Sequence, residues 1–132
     1  MSLSQSKWRS VSGHMEIITA TWAAETSGAF TSADITGCRG MYLLMVRTIP
    51  NSGRPPTADY DITLKDDDGV DVAGALLTNR SATAAEDIYP AQVTKPIQSD
   101  LTVAITGNVV DRAAGTIKLY LSSVPTSIVA AA

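Results

Sequence analysis

Few side chains in this sequence carry the chemistry of an active site. His14 is the only histidine, so a proton-transferring pair would have to be built on it or on carboxylates alone. Cys38 is the only cysteine; it lies between Thr36-Gly37 and Arg39-Gly40, with no second thiol for a disulfide and no companion ligands for a Cys-rich metal site. It reads as a small apolar residue, buried or half-buried. The densest group of oxygen donors is Asp66-Asp67-Asp68-Gly69, with Asp71 two residues on, the type of side chain that holds calcium. An EF-hand loop with its glycine at Gly69 would need acidic ligands where Leu64 and Ala75 stand, so that motif is absent. Two readings remain: a looser site on Asp66, Asp68 and Asp71, or a solvated turn in which short acids bond their own backbone. The sequence contains no Gly-x-Ser-x-Gly elbow, no phosphate-cradling glycine loop and no His-Glu-x-x-His helix. Asn79-Arg80-Ser81 has the form of a glycosylation acceptor, which matters only in a secreted chain. This inventory predicts a protein that is not an enzyme and requires neither cofactor nor metal.

The elements around those residues are extended. From Asp59, Tyr60, Ile62 and Leu64 alternate with Asp61, Thr63 and Lys65, the period of two of a strand with one buried face. The acidic turn at Asp66 to Gly69 follows, and Val70 and Val72 resume the alternation, which predicts a hairpin. Met15 to Trp22 is rich in β-branched residues and reads as a strand; Phe30 to Ile35 is a shorter candidate. Met41 to Thr48 is apolar up to Arg47 and is predicted to be a central strand buried on both faces. Leu101 to Thr106 and Thr116 to Ser122 both alternate, and the spacing predicts that they pair as a second hairpin across Gly107 to Gly115. Ser81 to Asp87 permits either a capped turn of helix or a loop. Six to eight short strands with turn signals between them and no long helix predict an all-β fold, an antiparallel sandwich of jelly-roll or immunoglobulin-like type.

A chain of 132 residues is a single domain able to bury roughly two-thirds of its unfolded surface. Its 17% of charged residues and formal net charge of −3 supply no electrostatic reason to bind nucleic acid or an anionic membrane. No apolar run approaches the ~18 residues of a membrane span, and the start lacks the apolar centre of a signal peptide; synthesis in a cytoplasm is expected.

Three segments are left over. Residues 1–13 are serine-rich and periodic in neither sense, and read as an N-terminal arm, either frayed or anchored on a neighbour by Trp8 with Arg9 beside it. Ile49 to Ala58 contains Arg54, Pro55 and Pro56 and reads as an exposed loop able to bind at low ordering cost. Residues 125–132 form a tail, which leaves 14–124 as the sandwich domain. Trp8, Arg9, Arg54, Pro55 and Pro56 are therefore the candidate partner-binding residues.

The hairpin Tyr60-Asp-Ile-Thr-Leu-Lys-Asp-Asp-Asp-Gly-Val-Asp-Val72, with Leu77-Thr-Asn-Arg80 and the closing Ile117-Lys-Leu-Tyr-Leu121, resembles small structural proteins of tailed bacteriophages, over about Glu16 to Leu121. The resemblance implies a virion component and, best matched, a capsid decoration or cement protein on the capsid exterior. The partners it implies are the major capsid protein and further copies of this chain, as a homotrimer. Neck, tail and baseplate components are the nearest alternatives, and a host-surface carbohydrate-binding module is an alternative of another class.

Overall fold

A computed structural model describes residues 1–90 and 95–124. Among these residues the protein is all-β, with eight strands in two antiparallel sheets that face each other as a sandwich. The strands are β1 (Ser2–Arg9), β2 (Met15–Ala23), β3 (Phe30–Ile35), β4 (Tyr42–Pro50), β5 (Asp61–Lys65), β6 (Glu86–Ile88), β7 (Leu101–Thr106) and β8 (Ala114–Ser122). The larger sheet runs β1-β2-β8-β4-β6 and the smaller β3-β7-β5.

Alternation determines which side chains enter the core. Ile18, Ala20 and Trp22 from β2, Ile117, Leu119 and Leu121 from β8, Ile62 and Leu64 from β5, and Leu101, Val103 and Ile105 from β7 all belong to one buried cluster. Tyr60, Ile62, Leu64, Val103, Ile105, Ile117, Leu119 and Leu121 thus share one core, as their phase predicts. Three aromatic rings pin the sheets together: Trp22 of β2 meets Phe30 of β3 edge-on at 6.0 Å and Tyr60, just before β5, at 5.8 Å. Gly115 makes room for this cluster, because a Cβ there would sit 2.8 Å from the Trp22 indole nitrogen.

Four expectations require correction. Residues 1–13 are mostly not an arm: Ser2–Arg9 is strand β1, paired with β2 in unbroken register from Ser2↔Ala23 to Arg9↔Glu16. Leu101 to Thr106 and Thr116 to Ser122 do not form a hairpin, since β7 is the middle of the small sheet and β8 the middle of the large one. Their connection crosses between the layers, tied down by Asn108, whose amide donates to Gly28 O at 2.9 Å and whose oxygen accepts from Thr57 N at 2.9 Å. The strand β4 is buried on one face only, and a register shift between Leu43 and Met45 turns Leu44 and Met45 partly outward. Beyond the acidic turn, the returning arm of the first hairpin is reduced to the single bridge Lys65↔Asp71, with Val70 half exposed. Ser81 to Asp87 contains no helix; the Ser81 hydroxyl accepts from Thr83 N and Ala84 N, a cap on a turn that leads into β6. The tail expected at 125–132 lies outside the described residues.

Candidate interface

The core takes the inward phase of the large sheet, so the outward phase is free to vary. Cross-strand register lines up Trp8↔Ile17, Ile17↔Tyr120 and Tyr120↔Met45, which is one row across β1, β2, β8 and β4. All four residues are on the face away from the small sheet, and the row ends at Trp8, whose side chain is 53% exposed. The neighbouring row contains Met15, Ser122 and Tyr42. On its other side lie Lys118 and Arg47. Arg47 is bonded twice by Asp87, at 2.6 and 3.0 Å, and its guanidinium lies 5.7 Å from the centre of the Tyr120 ring. The hydrogen bonds that Arg47 donates to Asp87 push the Arg47 pKa further up, and Arg47 in turn holds the Asp87 carboxyl below its ordinary value. The result is an aromatic and aliphatic stripe with a fixed cation at its margin, facing solvent.

The five residues proposed for partner binding are not brought together. Trp8 belongs to the stripe. Arg9 is on the opposite phase of β1, and its side chain is held by the buried Glu16, donating at 2.7 Å. Arg54 and Pro55 are exposed at the other end of the sheet, where Ala114 N donates to Arg54 O; the run of β8 from Ala114 to Tyr120, roughly 20 Å at ~3.3 Å per residue, separates them from the Trp8 row. Pro56 is buried in the domain and offers no contact surface. Arg54 lines an open groove of about 530 Å³ with Arg112, Glu25 and small residues of β2 and β8. Ile17, Tyr120 and Met45 were missed as contact residues, although Tyr120 stands on the Lys118 phase of its strand and not with Leu119 and Leu121.

The remaining chemical candidates are spent inside the fold. Cys38 is buried and its thiol is pushed up to about 11 by burial, which opposes thiolate formation at neutral pH. The carboxylates that approach one another are Asp66, Asp67 and Asp68, and not the set including Asp71. Asp66 accepts from Asp68 N and Val70 N; Gln98 donates to Asp67 and Asp68; Asp71 accepts from Leu64 N, Ala73 N and Ala75 N. These bonds are those of a self-capped turn. His14 meets Ser123 Oγ at 3.2 Å near the surface, and among the described residues no carboxylate is bonded to it. Among the described residues no helix is long and apolar enough to cross a membrane. The chain matches no protein-family model, and a search of curated proteins gives no match.

Proposed function

We propose that this protein is a structural component of a tailed-bacteriophage virion, a decoration protein that binds the major capsid protein lattice from outside and stabilises the head. The observation that supports it most is the Trp8, Ile17, Tyr120, Met45 stripe. A domain whose core is complete without these residues gains nothing from turning them to water, whereas an assembly partner would cover them. Aromatic anchors in one row on an outward face, with an oriented arginine beside them, are the composition of a binding hot spot. A role in assembly also needs no catalytic group, which suits a chain whose thiol, acidic turn and buried tyrosine all serve its own packing. The test is to add purified protein to heads lacking it and measure saturable binding and the temperature at which packaged DNA is released. Saturation with a raised release temperature supports the decoration role; copurification with tails and no binding to heads replaces it with a neck or tail role.

A further inference from the structure

The four edges of the two sheets are protected very unequally. β6 is an edge of only three residues. β3 is broken by a register shift between Phe30 and Ala33. The outer side of β5 is already covered by the segment that follows it, through Val72 N to Leu64 O, Ile62 N to Leu77 O and Arg80 N to Tyr60 O. Shortness, bulging and covering are the usual ways to stop a sheet from growing. β1 is eight residues long, free of proline and regular throughout, and among the described residues no segment bonds its outer side.

The ladder also gives the phase of the open edge. Ser10 N donates to Met15 O, and hydrogen-bonded pairs alternate in an antiparallel ribbon. Ser2, Ser4, Ser6 and Trp8 therefore bond β2, while Leu3, Gln5, Lys7 and Arg9 present their backbone groups to the outside. The edge is held in shape from beneath. Gln5 exchanges hydrogen bonds with Thr36 at 2.9 Å in both directions, Lys7 Nζ donates to Gly37 O at 3.0 Å, and Arg9 is held by Glu16. A strand fixed in this way has little ordering entropy left to lose on pairing.

We propose that β1 is the seat of a two-fold contact in which the β1 strands of two copies pair antiparallel, joining their large sheets into one. The occupant is a second copy because the strand is complementary to itself. Centred on Gln5, the pairing sets Gln5 opposite Gln5 and Ser4 opposite Ser6, an uncharged middle of small outward side chains. The side-chain cations move to the ends: Lys7 falls opposite Leu3, and Arg9, already paired with Glu16, falls opposite Met1, whose ammonium lies 3.6 Å from the Glu25 carboxylate. Trp8 falls opposite the small Ser2, which leaves room for its ring at the seam. Such a contact is isologous and closes as a dimer. It does not depend on the virion reading, and the purified chain suffices to test it.

The experiment is sedimentation equilibrium over a concentration series, with amide exchange on the same samples. The wild-type chain is expected to reach twice its own mass, with the amides of Leu3, Gln5 and Lys7 becoming protected as the dimer fills, while those of Ser4 and Ser6 are protected at every concentration. Gln5→Pro removes an outward amide without taking a bond from β2 and is expected to abolish the dimer; Gln5→Ala keeps that amide and is expected to keep it. Should Gln5→Pro prove unfolded, Ser4→Lys with Ser6→Lys places lysines opposite each other on the solvent face and is expected to weaken the dimer about tenfold at low salt, with recovery at high salt. A wild-type chain that stays monomeric, assembles as a trimer, or dimerises equally well in the Gln5→Pro or lysine variant overturns the proposal.

Discussion

The two sheets are alike on the inside and unlike on the outside. Inward, both supply aliphatic side chains with almost no exposure, Ile18, Ile117 and Leu119 from one and Ile62, Val103 and Leu101 from the other. Outward, the small sheet shows Asp34 paired with Thr102, Lys65 with Thr102, Thr63 with Ala104 and Asp61 with Thr106. These are short, polar or neutral side chains on a solvated surface. The large sheet shows Trp8, Ile17, Tyr120 and Met45 in one row. Stability constrains only the inner phase of each strand, so the outer phase records what each face meets. By that criterion the small sheet meets water, and the large one, on the proposed reading, meets protein.

The comparison breaks first if the inner phases are not equivalent. Leu119→Ala, at the centre of β8, and Leu64→Ala, in β5, are each expected to cost about 2–5 kcal/mol by urea denaturation. A loss below about 1 kcal/mol in either would mean that its sheet does not share the common core. Next in size is Asn108→Ala, which strands Thr57 N and Gly28 O at the crossing between the sheets and is expected to cost about 1–3 kcal/mol. If the value is near zero, the layers are held by the aromatic cluster alone.

A pH titration of stability sharpens the same point. Burial pushes Cys38 up from 9.0 to about 11 and Tyr60 up from 10.0 to about 12. Between these values the unfolded chain gives up protons that the folded chain keeps, so stability is complete below pH 9 and falls as pH rises beyond it. The double variant Cys38→Ala, Tyr60→Phe is expected to flatten the fall between about pH 9 and 12; an unchanged slope would place both groups in contact with solvent. The smallest expected effect on stability is on the outer faces, where Ile17→Ser and Thr63→Ala should each stay within about 0.5 kcal/mol of the parent. A large loss for Ile17→Ser would make its stripe a packing element.

How much of this was legible in the sequence depended on whether both phases of a strand differ. In β5 and β8 apolar residues alternate with polar ones, and the assignment to strand and core follows directly. In β1 both phases are mainly polar: Gln5, Lys7 and Arg9 follow Leu3 on the inner phase, Ser2, Ser4 and Ser6 precede Trp8 on the outer one, and no period marks the strand. In β4 both phases are apolar, because Met45 belongs to the outer stripe and Leu44 is the extra residue at the register shift, and the segment imitates a strand buried on two sides. The partner of each strand was less legible still. Nothing local to Gly107 to Ala113 distinguishes a hairpin from a crossing between sheets; that is decided by Asn108 reaching Gly28 and Thr57, distant in the chain. Of the site, Trp8 was visible from its oddity among serines, whereas the row it completes exists only once the register is known.

The central claim is that the outer face of the large sheet, and not that of the small one, docks on the phage particle. It is tested most directly by measuring the affinity of two folded variants for heads lacking the protein: Ile17→Ser with Tyr120→Ser on the large sheet, and Thr63→Arg with Thr102→Arg on the small. The account predicts that the first binds at least about a hundredfold more weakly, a loss of about 2.7 kcal/mol, while the second binds like the parent. Equal binding by both variants, or loss confined to the second, would contradict it.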